Sequence, residues 1–184
     1  MENKFLEKFT RSMSVEMPHN ETMDDYLDEI LRVARPLSED LREIRFYINK
    51  PWLEFRDDEH FHDAVLHYFN DEGEYLHSVN GDVSQGSWRY LEPSNKMLIT
   101  LGNDSELYDL AFLDTEFFIL SKHGDQQRLK KAKYTVMLFE PVGRRLEWRD
   151  AMEKLFDKYR NNNTFYLILA LVVLLIIAVA VMLS

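Results

Sequence analysis

The amino-acid sequence predicts a β-rich α+β protein built around an antiparallel meander of about eight or nine strands. The main observation is a change of period: apolar residues recur at every second position between residues 44 and 139, in short runs broken by turn residues. Helical periodicity precedes and follows this region, and the chain closes on a long apolar run. We therefore expect a closed barrel or a strongly bent sheet, with N-terminal helices, a juxtamembrane helix and one C-terminal transmembrane helix.

The helix predicted at residues 23–34 has a single apolar stripe. Its members recur at i, i+3, i+4, i+7, i+8 and i+11, and they are Met23, Tyr26, Leu27, Ile30, Leu31 and Ala34. Thr22 with Asp25 resembles a capping box, and Pro36 ends the segment because helices seldom run through the residue before a proline. With a weaker helix over 3–13, residues 1–43 are expected to form a helical segment that packs on the sheet.

Nine candidate strands make up the β domain predicted at residues 44–142. Each is a short β-branched or aromatic run, and turn sequences such as Asn80-Gly81 and Gly102-Asn103-Asp104 separate them. The predicted strands are 44–48, 52–55, 65–69, 75–79, 87–91, 97–101, 107–113, 117–122 and 134–139.

Several of these strands are apolar on both faces. In the strand at 107–113, Tyr108, Leu110 and Phe112 are expected on one face and Ala111 on the other. One face can fill a core, and the other then needs a cover, which the helix at 23–34 has the right length to supply.

A last amphipathic helix is predicted from about residue 144 to residue 159, within a juxtamembrane segment at 143–163. Its apolar stripe consists of Trp148, Met152, Leu155, Phe156 and Tyr159. The stripe can dock on the domain, lie at the membrane interface, or continue into the span as one rod. Trp148 is expected either at the level of the lipid headgroups or packed on the sheet.

Residues 164–184 are predicted to anchor the chain in a membrane. Every residue from Phe165 to Leu183 is apolar or Tyr, and about 20 such residues cross a hydrocarbon core of about 30 Å. Tyr166, Leu167 and Leu174 lie within this anchor.

Basic residues set the expected orientation. Lys154, Lys158 and Arg160 precede the apolar run and nothing basic follows it, so the N-terminal domain is expected in the cytoplasm. Residues 1–12 are charged and have no apolar h-region, so no secretory signal is predicted. These features indicate a single-pass, tail-anchored protein, with the bacterial inner membrane favoured and other membranes that receive tail anchors as alternatives.

Composition excludes several classes of partner and site. The formal net charge is −10, and such a field repels nucleic acid and anionic lipid. The chain has no cysteine, which excludes disulfides, thiolate metal sites and a cysteine nucleophile.

Four stretches together resemble the small lipocalin-like domains of bacteria. Residues 69–75 (FNDEGEY), 86–90 (GSWRY), 97–100 (MLIT) and 111–120 (AFLDTEFFIL) share the cadence of those domains: a glycine turn after Phe, G-x-W, a short apolar strand, and two strands around a tight turn. The resemblance implies a lipocalin-like barrel over about residues 50–125. A cavity for a small apolar molecule would accompany it, although no residue can be assigned to that role. The G-x-W of lipocalins opens the barrel, whereas here it lies in the middle of the strand series.

The densest set of metal-capable side chains lies around residue 60. It comprises His60, His62 and His67 with Asp57, Asp58, Glu59 and Asp63. Imidazole and carboxylate groups can bind zinc, but dispersed histidines in a loop are more often solvated. We therefore predict no metal site and no cofactor.

No catalytic residue is predicted either. Asp114 with Glu116, and Asp24 with Asp25, are carboxylate pairs that turn and helix-surface roles explain. The sequence lacks a Gly-rich phosphate loop, G-x-S-x-G and H-E-x-x-H. The strand residues Trp52 and Trp88 are expected in the core.

The leading functional hypothesis is a non-enzymatic protein. The anchor contacts membrane lipid, and the β-rich domain binds or scaffolds a protein partner at the cytoplasmic face, where tethering raises the effective concentration of a binding surface. A carrier or sensor of a small apolar ligand in a lipocalin-like cavity is the alternative. An enzyme acting on a membrane-derived substrate is a third hypothesis.

Overall fold

Eight antiparallel strands form a closed barrel in which sequence neighbours pair and the first strand closes on the last. The computed structural model describes residues 22–58, 60–92, 94–123 and 132–160. The strands are β1 (Pro51–Phe55), β2 (Val65–Phe69), β3 (Glu74–Val79), β4 (Asp82–Leu91), β5 (Lys96–Leu101), β6 (Asp104–Leu113), β7 (Phe117–Lys122) and β8 (Tyr134–Phe139). The described residues also contain three α-helices: α1 (Met23–Ala34), the short α2 (Glu140–Gly143) and α3 (Trp148–Arg160). The predicted β-rich α+β class and barrel are confirmed.

Tight hairpins set the register between neighbouring strands. Asn80 and Gly81 both have positive φ, +53° and +97°, which is the geometry of a two-residue turn matched to the twist of the strands. Val79 and Asp82 therefore pair directly across the turn. For the same reason β4 begins five residues before the predicted strand at 87–91.

The predicted strand at residues 44–48 is wrong, because Ile44–Phe46 is a 3₁₀-helix. Its apolar residues alternate as in a strand, yet only an isolated bridge joins Ile48 to Phe69. Residues 38–49, which we call the plug, instead close one end of the barrel.

Buried polar contacts hold the plug in place. The Tyr47 hydroxyl donates to the Leu41 carbonyl oxygen over 2.9 Å, and the indole nitrogen of Trp52 donates to the Tyr47 carbonyl oxygen over 2.9 Å. Leu41 and Tyr47 are fully buried. A buried polar group costs free energy unless it is paired, so these bonds let the plug enter an apolar interior.

Large side chains fill the plug end of the barrel. Phe118 lies at its centre, with the rings of Tyr47, Trp52 and Phe69 at centroid distances of 5.3, 5.6 and 5.3 Å. The other buried members of this cluster are Leu41, Tyr75, Met97, Tyr108, Leu110, Leu113, Leu120 and Met137. This half of the interior is a packed core.

Helices α1 and α3 cover the outer surface of one side of the barrel. The apolar stripe of α1 lies entirely buried there, as predicted, with Ala151, Met152 and Leu155 of α3 in the same cluster. Thr22 caps α1: its hydroxyl oxygen accepts the Asp25 N–H over 3.2 Å. The outer apolar face of β1, β6, β7 and β8 is therefore covered by helices.

A β-bulge interrupts the predicted alternation of side chains between the two faces of β6. The register shifts between Leu110 and Phe112, so Ala111 is an extra residue and the faces exchange after it. Phe112 consequently lies on the outer surface with α1 and α3, and Leu113 points into the barrel.

The last helix begins at Trp148 rather than near residue 144. The Asp150 carboxylate accepts the Glu147 N–H over 3.0 Å, which is half of a capping box and marks a helix start. Within the described residues no helix is long and apolar enough to cross a membrane. The predicted helix at 3–13 and the anchor residues Phe165, Tyr166, Leu167, Leu174 and Leu183 lie outside those residues.

Candidate functional site

The barrel end opposite the plug carries inward-facing polar side chains. We call this set the polar cluster, and its members are Glu54, His67, Tyr75, His77, Glu106 and Tyr108. The period-two geometry of the strands explains the change along the barrel, because Trp52 and Glu54 face inward from β1, as Phe69 and His67 do from β2. The interior therefore changes from aromatic at the plug end to polar at the other end, and the rings of Tyr75 and Tyr108 belong to both clusters.

His67 is the centre of the polar cluster. It is buried, and both of its ring nitrogens have partners. Nδ1 lies 2.6 Å from the Tyr75 hydroxyl, and Nε2 lies 2.9 Å from Glu54 Oε2. Two short polar contacts therefore fix the plane of the imidazole ring.

Glu54 is held ionised inside the barrel. Its side chain is 10% exposed, and its second oxygen accepts a hydrogen bond of 2.6 Å from Arg56 Nε. Burial opposes ionisation, but the hydrogen bonds from His67 and Arg56 outweigh it and lower the pKa of Glu54 to about 2. Glu54 is a carboxylate throughout the physiological pH range.

His77 lies directly across the hairpin from His67. The two imidazole rings meet edge to face with their centroids 5.1 Å apart. Burial and the neighbouring His67 lower the pKa of His77, which favours its neutral form. No hydrogen bond joins the His77 ring to another side chain or backbone group in the part of the chain that the structure describes.

Two tyrosines complete the polar cluster as hydrogen-bond donors. Burial, with the nearby Glu54 and Glu106, raises the pKa of Tyr75. The Tyr108 hydroxyl donates to Glu106, and burial together with this bond raises the pKa of Tyr108. Phenolates are therefore disfavoured, and neither tyrosine is suited to act as a nucleophile.

The arrangement is best suited to binding a cation. Glu54, His67 and His77 each offer one ligand atom, and these three atoms lie within 4.8 Å of one another. Two imidazoles and a carboxylate form a common ligand set for zinc. An open cleft of about 500 Å³ reaches Glu54 and is also lined by Arg56, Lys122 and Thr135.

The structure does not bring together the metal-capable set noted in the sequence. Only His67 points into the barrel, while His60 and His62 are exposed in the loop before β2. The nearby aspartates make local contacts instead. Asp57 accepts the Met23 N–H, Asp58 accepts the His60 N–H, and Asp63 accepts from the Asn80 side-chain amide. Glu59 lies outside the described residues.

The paired carboxylates have structural contacts. Asp114 Oδ1 accepts the backbone N–H groups of Glu116 and Phe117, each over 2.7 Å, and so shapes the β6–β7 turn. Asp24 accepts the N–H of Lys133 over 2.7 Å at the start of β8, and Asp25 takes part in the α1 cap.

The three tryptophans occupy different environments. Trp52 is fully buried, as predicted, whereas Trp88 is only half-buried and donates to the Asn70 carbonyl oxygen over 2.9 Å. Trp148 packs edge to face on Tyr26 of α1, 5.8 Å between ring centroids. Its ring contact is therefore with a helix, which is neither of the two predicted positions.

Two of the three residues predicted to set the orientation form ion pairs with the barrel. Lys158 Nζ lies 2.8 Å from Asp114 Oδ2 and 3.1 Å from Glu116 Oε2, and Lys154 Nζ lies 3.5 Å from the same Glu116 atom. The Tyr159 hydroxyl also donates to Asp114. The side chain of Arg160 lies outside the described part of the structure.

Sequence reasoning missed Glu54 and His77 as partners of His67. The available signal was the hairpin itself: a turn centred on residues 71–73 places His77 opposite His67 on the same face. The sequence analysis grouped His67 with His60 and His62 because the three lie close together along the chain. Glu54 had no comparable signal, because its position depends on how β1 closes the barrel.

Comparison with protein-family models, with curated proteins and with solved structures finds no match to this chain.

Proposed function

We propose that this chain is a single-pass, tail-anchored membrane protein whose lipocalin-like barrel is a non-enzymatic binding module. In this proposal residues 165–183 span the membrane, and the barrel binds a protein partner at the cytoplasmic face. The apolar run and its basic flank, both features of the sequence, support the anchor and its orientation.

The filled interior is the observation that carries the binding role. Trp52, Phe69 and Phe118 pack against the plug with no exposed surface, and they occupy the space in which a lipocalin-like barrel holds an apolar ligand. A packed core of this kind is close to the density of an organic crystal. Binding of a protein partner is therefore best assigned to the outer surface.

One side of that outer surface has no helix over it in the described structure. Outward-facing Leu66, Tyr68 and Leu76 are half-buried on β2 and β3, and Val83 on β4 is 62% exposed. Cross-strand pairing makes these residues neighbours: Tyr68 lies opposite Leu76, and Ser78 lies between Leu66 and Val83. We call these four apolar residues the open face, and we propose that they contact the partner.

The docking of α3 supports a defined orientation at the membrane. Its last turn contacts Asp114 and Glu116 in the β6–β7 turn, at the plug end of the barrel. Only residues 161–164 separate α3 from Phe165, and four residues span at most about 14 Å. The plug end would then lie toward the membrane and the open face would stand at the side of the barrel.

A capture experiment with matched variants tests the binding role. The full chain, purified in a mild detergent, is compared with Tyr68→Glu/Val83→Glu in the open face and with Val33→Glu on α1, where Val33 is 63% exposed. We expect one protein to be retained by the wild type and by Val33→Glu and to be lost with the double variant. Retention of that protein by all three chains, or by none, would contradict the proposal.

Alkaline carbonate extraction tests the anchor separately. Peripheral proteins are released at high pH, whereas a spanning helix stays with lipid. We expect the full chain to remain in the membrane pellet and a chain ending at residue 163 to be released. Release of the full chain would rule out a transmembrane anchor.

The alternative, a carrier or sensor of a small apolar ligand, is distinguished by native mass spectrometry of the full chain. A stoichiometric adduct of lipid-like mass that survives mild purification would favour it. A clean polypeptide mass would favour the binding module, in agreement with the packed interior.

A further inference from the structure

We propose that Glu54, His67 and His77 form a zinc-binding site inside the open end of the barrel. The inference is independent of the proposed partner and of the membrane anchor. It rests on the position of three side chains that β1, β2 and β3 direct to the same point.

Distances favour direct coordination. A tetrahedral zinc ion with ligands at about 2.0–2.2 Å requires ligand atoms about 3.4 Å apart. The three atoms already lie within 4.8 Å of one another, and His67 Nε2 lies 2.9 Å from Glu54 Oε2. Small side-chain rotations therefore bring all three to the required spacing.

Neighbouring side chains orient two of the ligands. Tyr75 contacts His67 Nδ1 over 2.6 Å, and Arg56 binds the Glu54 oxygen that faces away from His67. Zinc ligands in proteins commonly have such outer partners, which fix the ring and the carboxylate. On zinc binding, His67 carries its proton on Nδ1 and donates it to the Tyr75 hydroxyl oxygen, which leaves Nε2 free to bind the ion.

Of the three proposed ligands, His77 is the one whose ring nitrogens have no hydrogen bond within the described chain. The hydrogen bonds of His67 and Glu54 account for those two residues without a metal. His77 points toward the same space. A zinc ion supplies the missing partner for this half-buried imidazole.

The open side of the site leaves room for a fourth ligand. His77 is half-buried and Glu54 lines an open cleft, so a water molecule can complete a tetrahedral set of three protein ligands.

Calorimetric titration of the metal-free full chain with zinc chloride tests the site. We expect saturable binding of one ion per chain in the wild type. His77→Ala should weaken the affinity at least about tenfold because it removes a direct ligand. His62→Ala, an exposed histidine in the preceding loop, is the matched control and should bind as the wild type does.

Two further measurements distinguish zinc bound by Glu54, His67 and His77 from zinc bound nonspecifically by surface carboxylates. Cobalt in the same site should give the intense visible absorption of a tetrahedral ion, and His77→Ala should lose it. Zinc should also raise the thermal midpoint of the wild type and of His62→Ala but not that of His77→Ala. Absence of saturable binding in the wild type, or equal binding by a folded His77→Ala chain, would overturn the proposal.

Discussion

At the scale of single residues, two inward-facing side chains on the same short strand meet opposite environments. Trp52 packs among rings at the plug end, while Glu54, two residues later, is ionised among polar groups. Hydrogen bonds from His67 and Arg56 make this burial of a charge tolerable. The polar half of the barrel thus depends on a small number of paired groups.

The lowered pKa of Glu54 makes the stability of the barrel depend on pH. Because the pKa is about 2 in the folded chain against an ordinary 4.5, the stabilisation is complete above about pH 5 and declines as the pH falls toward 2. Between pH 6 and pH 3 the wild type should therefore lose about 2 kcal/mol that Glu54→Gln does not lose. Urea denaturation of both chains at the two pH values measures this, and parallel losses would show that Glu54 is not the source.

Gly86, the glycine of the G-x-W motif, lies where the backbone of β5 leaves no room for a side chain. A Cβ atom added there would lie 2.1 Å from the carbonyl oxygen of Thr100 on β5. Gly86→Ala should therefore lower the free energy of unfolding by about 2 kcal/mol or more. The exposed neighbour Ser87 provides the control, since Ser87→Ala should change the urea midpoint little. Equal midpoints for the two variants would contradict the close approach of β4 and β5.

The sequence did not predict side-chain positions that depend on how two strands pair, because the pattern of residue types within one strand does not record that pairing. The alternation of Tyr108, Leu110 and Phe112 is regular in the sequence, yet the bulge at Ala111 sends Phe112 to the outer surface. No residue type marks that bulge, because Ala111 has no special backbone requirement. Glu54 likewise becomes a partner of His67 only when the barrel closes.

At the scale of elements, patterns that extend over a whole strand or helix were reliable. The stripe from Met23 to Ala34 predicted both the bounds and the buried face of α1. The strand Val65–Phe69 also has its predicted bounds. The plug was missed because Ile44, Phe46 and Ile48 alternate over five residues, too short a run to separate a strand from a 3₁₀ turn that packs on one end of a barrel.

Helix α3 should be bound to the barrel partly by its lysines. Lys158 lies between Asp114 and Glu116, so Lys158→Glu replaces two attractions by two repulsions. We expect faster amide hydrogen exchange in the last turns of α3 with little change in β2–β5. Glu153, which is exposed on the same helix, supplies the control variant Glu153→Gln. Unchanged exchange in Lys158→Glu would show that the Lys158 ion pairs do not hold α3 on the barrel.

At the scale of the whole molecule, the described residues give the barrel three distinct outer regions. One side is covered by α1 and α3, the plug closes one end, and the open face of Leu66, Tyr68, Leu76 and Val83 is left beside the polar end. The closed topology removes unpaired strand edges, so a partner would contact side chains rather than add a strand. The sequence predicted about eight or nine strands, of which the barrel has eight, and it predicted the covering helix α1. Which strands the described helices leave uncovered depends on the docking of α3.

Site-specific photocrosslinking in living cells tests the proposed function most directly. A photoreactive phenylalanine analogue is placed at position 83 of the full chain in the open face, and at position 33 of α1 in a second chain. We predict one discrete protein adduct from position 83 that position 33 does not give and that Tyr68→Glu abolishes. No adduct from position 83, or the same adducts from both positions, would contradict a partner-binding role for the open face.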